Sequence, residues 1–487
     1  MPSPSPSAVR RASSSARPSS IARRSPPSRT TTTSSRCSRS SSSRCPTSLR
    51  RTPDLVIERA IWPLGTSVGH DGHVRIGTHD VSALADRYGT PLYVYDAGTI
   101  RASLREYVDA FFRHRPVRVA YSVKACALIG VGAIIAREGI DASVASLGEL
   151  EAARRAGFPA SRIELHGNAK PDDEVVGALR AGVGRFVVDG AHDIERLARL
   201  AATRRRRQAV WLRVAPGIKV DTHPHLVTGT VDSKFGAPLS TGDALAQARE
   251  IARTKGLSLV GIHAHLGAEV RDATPYRELA RALVAFANEV RAVTAAPITE
   301  LGMGGGVAVR LRSTEEAPDL REYARAVAGP VRKDRALRGA TIYVEPGRGL
   351  VGRAGVAVYR VVGTKRVPEV RTFVAVDGGM GDNIRPALYD AKYTAVLAER
   401  AGEAAAEEVA VAGRYCESGD VLIRSVRLPA ARPGDVLAIP AAGAYSIAMS
   451  SNYNQTPRPA VVLLDGPVAR LIRRRESIEE IWRLERR

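Results

Sequence analysis

The chain has 487 residues, 44% of them apolar and 25% charged, with a formal net charge of +22. This is enough chain for two domains with buried cores, and it excludes a wholly disordered or a fibrous protein. No run of eighteen apolar residues occurs, so no helical membrane span is read. Cys37, Cys45, Cys126 and Cys416 have neither metal-ligand spacing nor the density of a disulfide framework, and a reducing cytoplasm is the simplest setting.

The charge is unevenly placed. Residues 1–52 hold eleven arginines, no lysine and no acid, which is half of the net charge. Such a Ser/Arg/Pro/Thr segment cannot bury enough apolar surface to fold and is expected to be a disordered tail. It could be a nucleic-acid-binding arm, an organelle transit peptide, or upstream sequence translated from a misassigned start. The last is preferred, nucleic-acid binding is not expected, and nothing below depends on the choice. Residues 53–96, with PLYVYD, are rich in β-formers and are expected to join a β-rich second domain.

From Val117 the pattern repeats as apolar run, loop and amphipathic segment. The runs are VRVAYSV (117–123), GIDASV (139–144), IELH (163–166), RFVVD (185–189), AVWLRV (209–214), LVGIHAH (259–265), ITELGM (298–303) and TIYVE (341–345). Helical patterns lie between several of them. In TPYRELARALVAFANEVRAV, Thr274 suits an N-cap and Pro275 the first helical position. Leu279, Leu283, Phe286, Val290 and Val293 share one face. In HDIERLARLAA the inward residues are Ile194, Leu197 and Leu200 or Ala201. Alternating strands and helices imply a parallel sheet, and eight units imply a closed (β/α)8 TIM-like barrel, assigned to residues 97–354. After residue 355 the runs AVYRVVGTK, TFVAVDGG, DVLAIP and AVVLLDG lack long intervening helices, so 355–487 is read as the rest of the mostly β domain. The terminal RLIRRRESIEEIWRLERR reads as a solvated helix face rather than a polyanion site.

A TIM-like barrel carries its chemistry at the C-terminal strand ends. Lys124 follows the first run; His166, Gly167 and Asn168 close the third. His263 and His265 close the sixth, Gly304, Gly305 and Gly306 follow the seventh, and Glu345, Gly347 and Arg348 follow the eighth. One lysine at one strand end is ordinarily a solvated lysine; this set on one rim is a site. A glycine triplet lets backbone N–H groups approach a phosphate, and Arg348 adds a charged fork. The lysine could be a phosphate ligand or a Schiff-base amine. Glu345 favours the amine, because a carboxylate there needs a cationic partner and a protonated pyridine nitrogen is one. Pyridoxal 5'-phosphate carries an aldehyde, a phosphate and such a nitrogen.

The stretch from about 56 to 480 resembles the fold type III pyridoxal-phosphate-dependent decarboxylases, whose fold is alanine racemase-like, and among them the diaminopimelate decarboxylases. The resemblance rests on YSVKAC, SLGELEAARRAG, HGNAK, VTGTVDSKFG, GIHAHLGA, GMGGG, EPGRGLV, MGDNIRPALYDA, CESGD and GAYSIAMSSNYN, in this order. It implies that Lys124 binds the cofactor aldehyde, His265 stacks on its ring, Gly304, Gly305, Gly306 and Arg348 cradle the phosphate, and Glu345 keeps the ring nitrogen protonated. Tyr445 would touch cofactor and substrate, and Arg385 and Tyr389 would hold a substrate carboxylate, with Arg348 also near it. Glu417 would meet the distal ammonium and Cys416 would return the proton to Cα. Both would come across the interface of a homodimer. The implied reaction is decarboxylation of an amino acid with a distal carboxylate, meso-diaminopimelate giving L-lysine and CO2; no metal is implied.

Three positions depart from the family pattern: Ser143 replaces an aspartate, Ala268 a serine that bonds the phosphate, and Gly302 an aspartate. They leave room for a divergent paralogue acting on a related amino acid. A pyridoxal-phosphate-dependent racemase is the other alternative, and Glu345 speaks against it, since racemases of this barrel pair the ring nitrogen with arginine. Cys126 is expected to be a packing residue.

Overall fold

The computed structural model describes residues 57, 59–202, 207–220, 228–230 and 232–486. The arginine-rich segment 1–52 and part of VTGTVDSKFG lie outside them. Eight strands pair in parallel: Val117–Ser122, Asp141–Val144, Ile163–Leu165, Arg185–Val188, Gln208–Ala215, Leu257–His263, Glu300–Gly302 and Thr341–Val344. Val344 pairs with Val119, which joins the eighth strand to the first and closes the barrel. The eight runs read from the sequence are therefore the eight barrel strands. A two-residue strand, Ala237–Pro238, is added alongside the fifth.

The helices follow their apolar periods, with one change. Thr274–Val293 buries Leu279, Leu283, Phe286 and Val290. Thr274 is not the cap but the first helical residue, and Asp272 accepts its N–H at 2.9 Å. A carboxylate is the better acceptor at the positive end of a helix, which explains the shift. Val293, the last residue, is exposed. In Ala191–Ala201 the inward set is Ile194, Leu197 and Ala201.

The lower part of the barrel holds ion pairs that hydrophobic periodicity does not reveal. Asp141, fully buried, accepts from Arg118 Nε at 2.5 Å and Arg162 Nε at 2.7 Å. Arg185 grips Glu300 with Nε at 2.6 Å and Nη2 at 2.5 Å, and Trp211 donates to the same carboxylate at 2.7 Å. Burial of such a pair is worth little net, but breaking it strands a charge. Glu300→Ala is expected to lower stability by about 3–5 kcal/mol, read as a lower denaturant midpoint.

The second sheet is built on Gly355–Val367. This long strand pairs antiparallel with Leu92–Asp96, Arg371–Val376 and Val436–Ile439. Ala460–Asp465 lies parallel to Leu92–Asp96, so the strand just before the barrel is built into the sheet that follows it. Glu407–Ala412 and Val421–Leu428, which sequence patterning does not pick out, extend the other edge. Thr66–Val68, Val74–Ile76 and His79–Asp80 form a separate three-stranded sheet. At the C-terminus the helical expectation holds only for Ile478–Trp482, with Ser477 and Glu480 capping it reciprocally. Val468–Arg473 is instead a strand, because a two-residue turn with Gly466 at a φ of +58° folds it back antiparallel on Ala460–Asp465. Among the described residues no helix is long and apolar enough to cross a membrane.

Candidate active site

The C-terminal strand ends surround a cavity of about 470 Å³. Its wall includes Lys124, His166, His263, His265, Gly305, Gly306, Glu345, Arg348, Tyr389 and Tyr445. The chain brings Lys124 there by ending the first strand at Ser122 and turning once through Val123–Ala125. Tyr121 donates to the Cys126 carbonyl at 2.8 Å and fixes the end of that turn. Tyr445 N–H donates to the Ala125 carbonyl at 2.8 Å, so the loop after Val436–Ile439 of the second sheet is tied to the turn that carries the lysine. The side chain of Cys126 is buried, and burial pushes its thiol up to about 11, in keeping with a packing role.

Glu345 lies at the floor. Nε2 of His263 is 2.9 Å from its Oε1, and Nε2 of His166 is 3.8 Å from its Oε2. Burial raises the Glu345 carboxyl, but the adjacent His263 outweighs it and holds the group well below the usual carboxylate range. Burial lowers His166 to about 3, so it stays neutral near pH 7. The His263 contact is short but misaligned, and Glu345 Oε1 has no hydrogen-bond partner among the described residues. A buried, ionised, unpartnered carboxylate oxygen facing a cavity calls for a cationic N–H donor.

His265 Nδ1 accepts the Gly305 N–H at 3.2 Å. That bond sets the ring plane, and burial holds the imidazole far below its ordinary value. A neutral flat ring suits stacking. The same bond engages one of the three amides expected at a phosphate. Gly304 is not on the cavity wall; its carbonyl accepts the Glu345 N–H at 2.8 Å. The triplet must be glycine for close approach as well: a Cβ on Gly306 would sit 1.8 Å from the Gly267 carbonyl oxygen. Arg348 is buried, its Nη1 has no hydrogen-bond partner among the described residues, and burial lowers its guanidinium to about 10. Its charge faces the Tyr445 ring at 5.1 Å.

The remaining expected residues fall elsewhere. Arg385 is fully buried and is not on the cavity wall. Its Nη1 donates to the Tyr393 hydroxyl at 2.7 Å and its Nη2 to Glu269 Oε1 at 2.8 Å. Cys416 and Glu417 are not on the wall either. Cys416 is exposed, with its N–H on Asn454 Oδ1 at 3.0 Å, and Glu417 accepts from the Tyr453 hydroxyl. CESGD and SSNYN thus meet each other on the surface of this chain. Ser143 and Ala268 do line the cavity. Gly302 is required by its neighbour, since a Cβ there would lie 2.6 Å from His263 Cδ2.

Sequence reasoning missed Glu269, Glu149 and Lys234, which also line the cavity. Glu149 sits in the quoted SLGELEAARRAG stretch, where Ala145 N–H donates to it at 2.7 Å. For Glu269 the one available signal was its place four residues after the second rim histidine.

An accessible amine, an orphaned carboxylate oxygen, a flat neutral ring and a buried guanidinium with a bare Nη1 fit pyridoxal 5'-phosphate. Residues 97–352 match the family of pyridoxal-dependent decarboxylases, pyridoxal binding domain. The chain is 40% identical over 418 residues to diaminopimelate decarboxylase of Bacillus subtilis, covering 85% of this chain and 95% of that protein. It is 42% identical over 442 residues to that of Actinosynnema pretiosum, covering 90% and 98%. The crystal structure of M. jannaschii diaminopimelate decarboxylase with L-lysine superposes with a TM-score of 0.80 at 31% identity, covering 86% of this chain and 96% of that one. That of Helicobacter pylori, also with L-lysine, gives 0.76 at 29%, covering 83% and 98%. The chain belongs to the diaminopimelate decarboxylase family of pyridoxal-dependent decarboxylases.

Proposed function

We propose that this protein decarboxylates meso-diaminopimelate to L-lysine with pyridoxal 5'-phosphate, as a homodimer in which each cavity is completed by Cys416 and Glu417 of the other copy. The observation that carries the reading is the pairing, in one cavity, of the Lys124 amine with the unpartnered Oε1 of Glu345. Bound pyridoxal phosphate supplies an aldehyde carbon for an amine and a ring that draws electrons from the bond to the departing carboxylate.

The chain's own residues divide the rest of the work. Lys124 would hold the cofactor by its aldehyde carbon, and the bound group would offer that carbon to the substrate amine. Glu345 keeps a proton at the ring nitrogen, and without that proton the ring accepts electrons poorly. His265 covers one ring face, and its Nδ1 bond to Gly305 stops it rotating. Arg348, with Gly305 and Gly306, takes the phosphate. Tyr445 and Tyr389 border the space left for substrate. Cys416 delivers the proton to Cα after CO2 leaves, and Glu417 meets the distal ammonium. A thiol is required for that delivery, so a reducing, cytoplasmic setting suits the enzyme. Both residues lie off the cavity wall of their own chain, which supports their acting on a second copy.

Purified protein loaded with cofactor is expected to release CO2 from meso-diaminopimelate and far less from lysine, ornithine or arginine; equal release from all four, or none, removes the assignment. Sharing of sites gives a second expectation. Lys124→Ala and Cys416→Ala should each be inactive or nearly so, and remixing them after dissociation should restore about a quarter of normal activity. Half the dimers are then hybrids, and each hybrid has one intact site. Absence of any recovery in remixed dimers would place Cys416 in its own chain's cavity or outside the mechanism.

A further inference from the structure

Two buried arginines share one carboxylate beside the cavity. Oε1 of Glu269 accepts from Arg385 Nη2 at 2.8 Å and lies 3.4 Å from Arg348 Nη2. Arg385 is wholly buried, and its Nη1 is held by the Tyr393 hydroxyl at 2.7 Å. Nε of Arg385 and Nη1 of Arg348 have no hydrogen-bond partner among the described residues. A guanidinium presents Nε and Nη2 along one edge, which a carboxylate can grip with both oxygens. Glu269 takes Nη2 and leaves Nε bare, so the fork is half satisfied.

Position makes this consequential. Glu269 lines the cavity and Arg385 does not, so the glutamate stands between the fork and any ligand. Its backbone has a φ of +61°, a left-handed conformation that a non-glycine residue holds at a cost. Tyr445, on the same wall, has a φ of +58°. Glu269 also borders a second recess with Arg271 and Lys392 on its wall, so a displaced carboxylate has cations to turn towards, although Glu315 and Glu316 share that recess. In the free protein some anion must balance Arg348 and Arg385, because uncompensated buried charge is unfavourable.

We infer that Glu269 is a resident carboxylate that occupies the Arg348–Arg385 pair until the distal carboxylate of the substrate exchanges with it, which makes it a specificity-determining residue. The inference rests on the reading of Arg385 as the ligand of that carboxylate. An acidic group arriving at the fork gains two bonds where the glutamate made one, and must displace it to do so. A ligand with no distal carboxylate leaves Glu269 in place. The residue therefore tunes how strongly the site prefers diacids over simple diamines.

The test is calorimetric titration of the cofactor-loaded protein with pimelate, using cadaverine as the carboxylate-free control. Glu269→Gln keeps shape and one acceptor oxygen but removes the competing charge. Pimelate is expected to bind it about five- to tenfold more tightly than the parent, with cadaverine changed by less than about twofold. Unchanged or weaker pimelate binding would overturn the exchange. Should the variant fold poorly, crystals of the parent with pimelate decide the matter: the Glu269 carboxylate is expected to have left Arg385, and a bound pimelate with Glu269 still on Nη2 contradicts the inference. Turnover of meso-diaminopimelate is scored separately. No CO2 release combined with the expected pimelate response would remove the reaction assigned above and leave the exchange standing.

Discussion

Lys124→Ala is expected to cut CO2 release from meso-diaminopimelate by at least about ten-thousandfold, the scale seen when a covalent catalytic group is deleted. The visible absorbance of the lysine-linked cofactor should vanish with it. Folding should survive. Lys124 is exposed into the cavity and sits on a turn fixed by the Tyr121 and Tyr445 bonds, not by its own side chain. Its loss should therefore change stability by no more than about 0.5 kcal/mol, the usual range for an exposed position. A small added amine such as methylamine should restore part of the rate, because it can supply the nitrogen that the alanine lacks. A variant that keeps both the absorbance and the turnover would place the covalent link on a different residue.

Glu345→Gln is expected to lower kcat by about a hundred- to a thousandfold, as removal of one preorganised electrostatic group does elsewhere. The amide has nearly the carboxylate's shape but cannot stabilise a proton on the ring nitrogen. The loss should fall on kcat, with the KM for substrate little changed, since the arginines and tyrosines that border the substrate space remain. Lys124 should still bind the cofactor covalently. Glu345→Asp, which retains charge but withdraws it, should fall between the two. If Glu345→Gln turned over like the parent, the carboxylate would be no more than a buried partner for His263 and His166.

Fold and site were unequally legible. The eight barrel strands could be read because each is a short apolar run bounded by turn residues, and a parallel barrel strand is covered on both faces. Glu407–Ala412 and Val421–Leu428 escaped because they sit at a sheet edge, where exposed Glu408 and Arg427 interrupt the apolar pattern. Val468–Arg473 escaped for a related reason, as its two arginines, followed by Arg474 and Arg475, imitate a charged helix face. In the site, Lys124, His265, Glu345 and Arg348 could be placed because each follows a strand whose end must reach the rim, whereas Tyr445, which follows a strand of the second sheet, was reached only through its motif. Arg385 showed the limit. Its motif marked it as a ligand for a carboxylate, but only coordinates reveal that a carboxylate of the same chain is already there. Glu269 comes from the loop after the sixth strand and Arg385 from the second domain, 116 positions apart, and no spacing rule joins them. Likewise a single chain's sequence does not show that Cys416 lies off its own cavity wall.

The most direct test of the central claim is to reduce the cofactor-loaded protein with borohydride and map the labelled peptide by mass. The label is expected on Lys124 alone. Lys234 is the discriminating alternative, since it lies on the same wall. Lys170 is buried against Asp193 at 2.6 Å and should not react. A label on Lys234, or none on any lysine after reconstitution, would contradict the assignment of Lys124 and with it the account of how Glu345 and the cavity around it work.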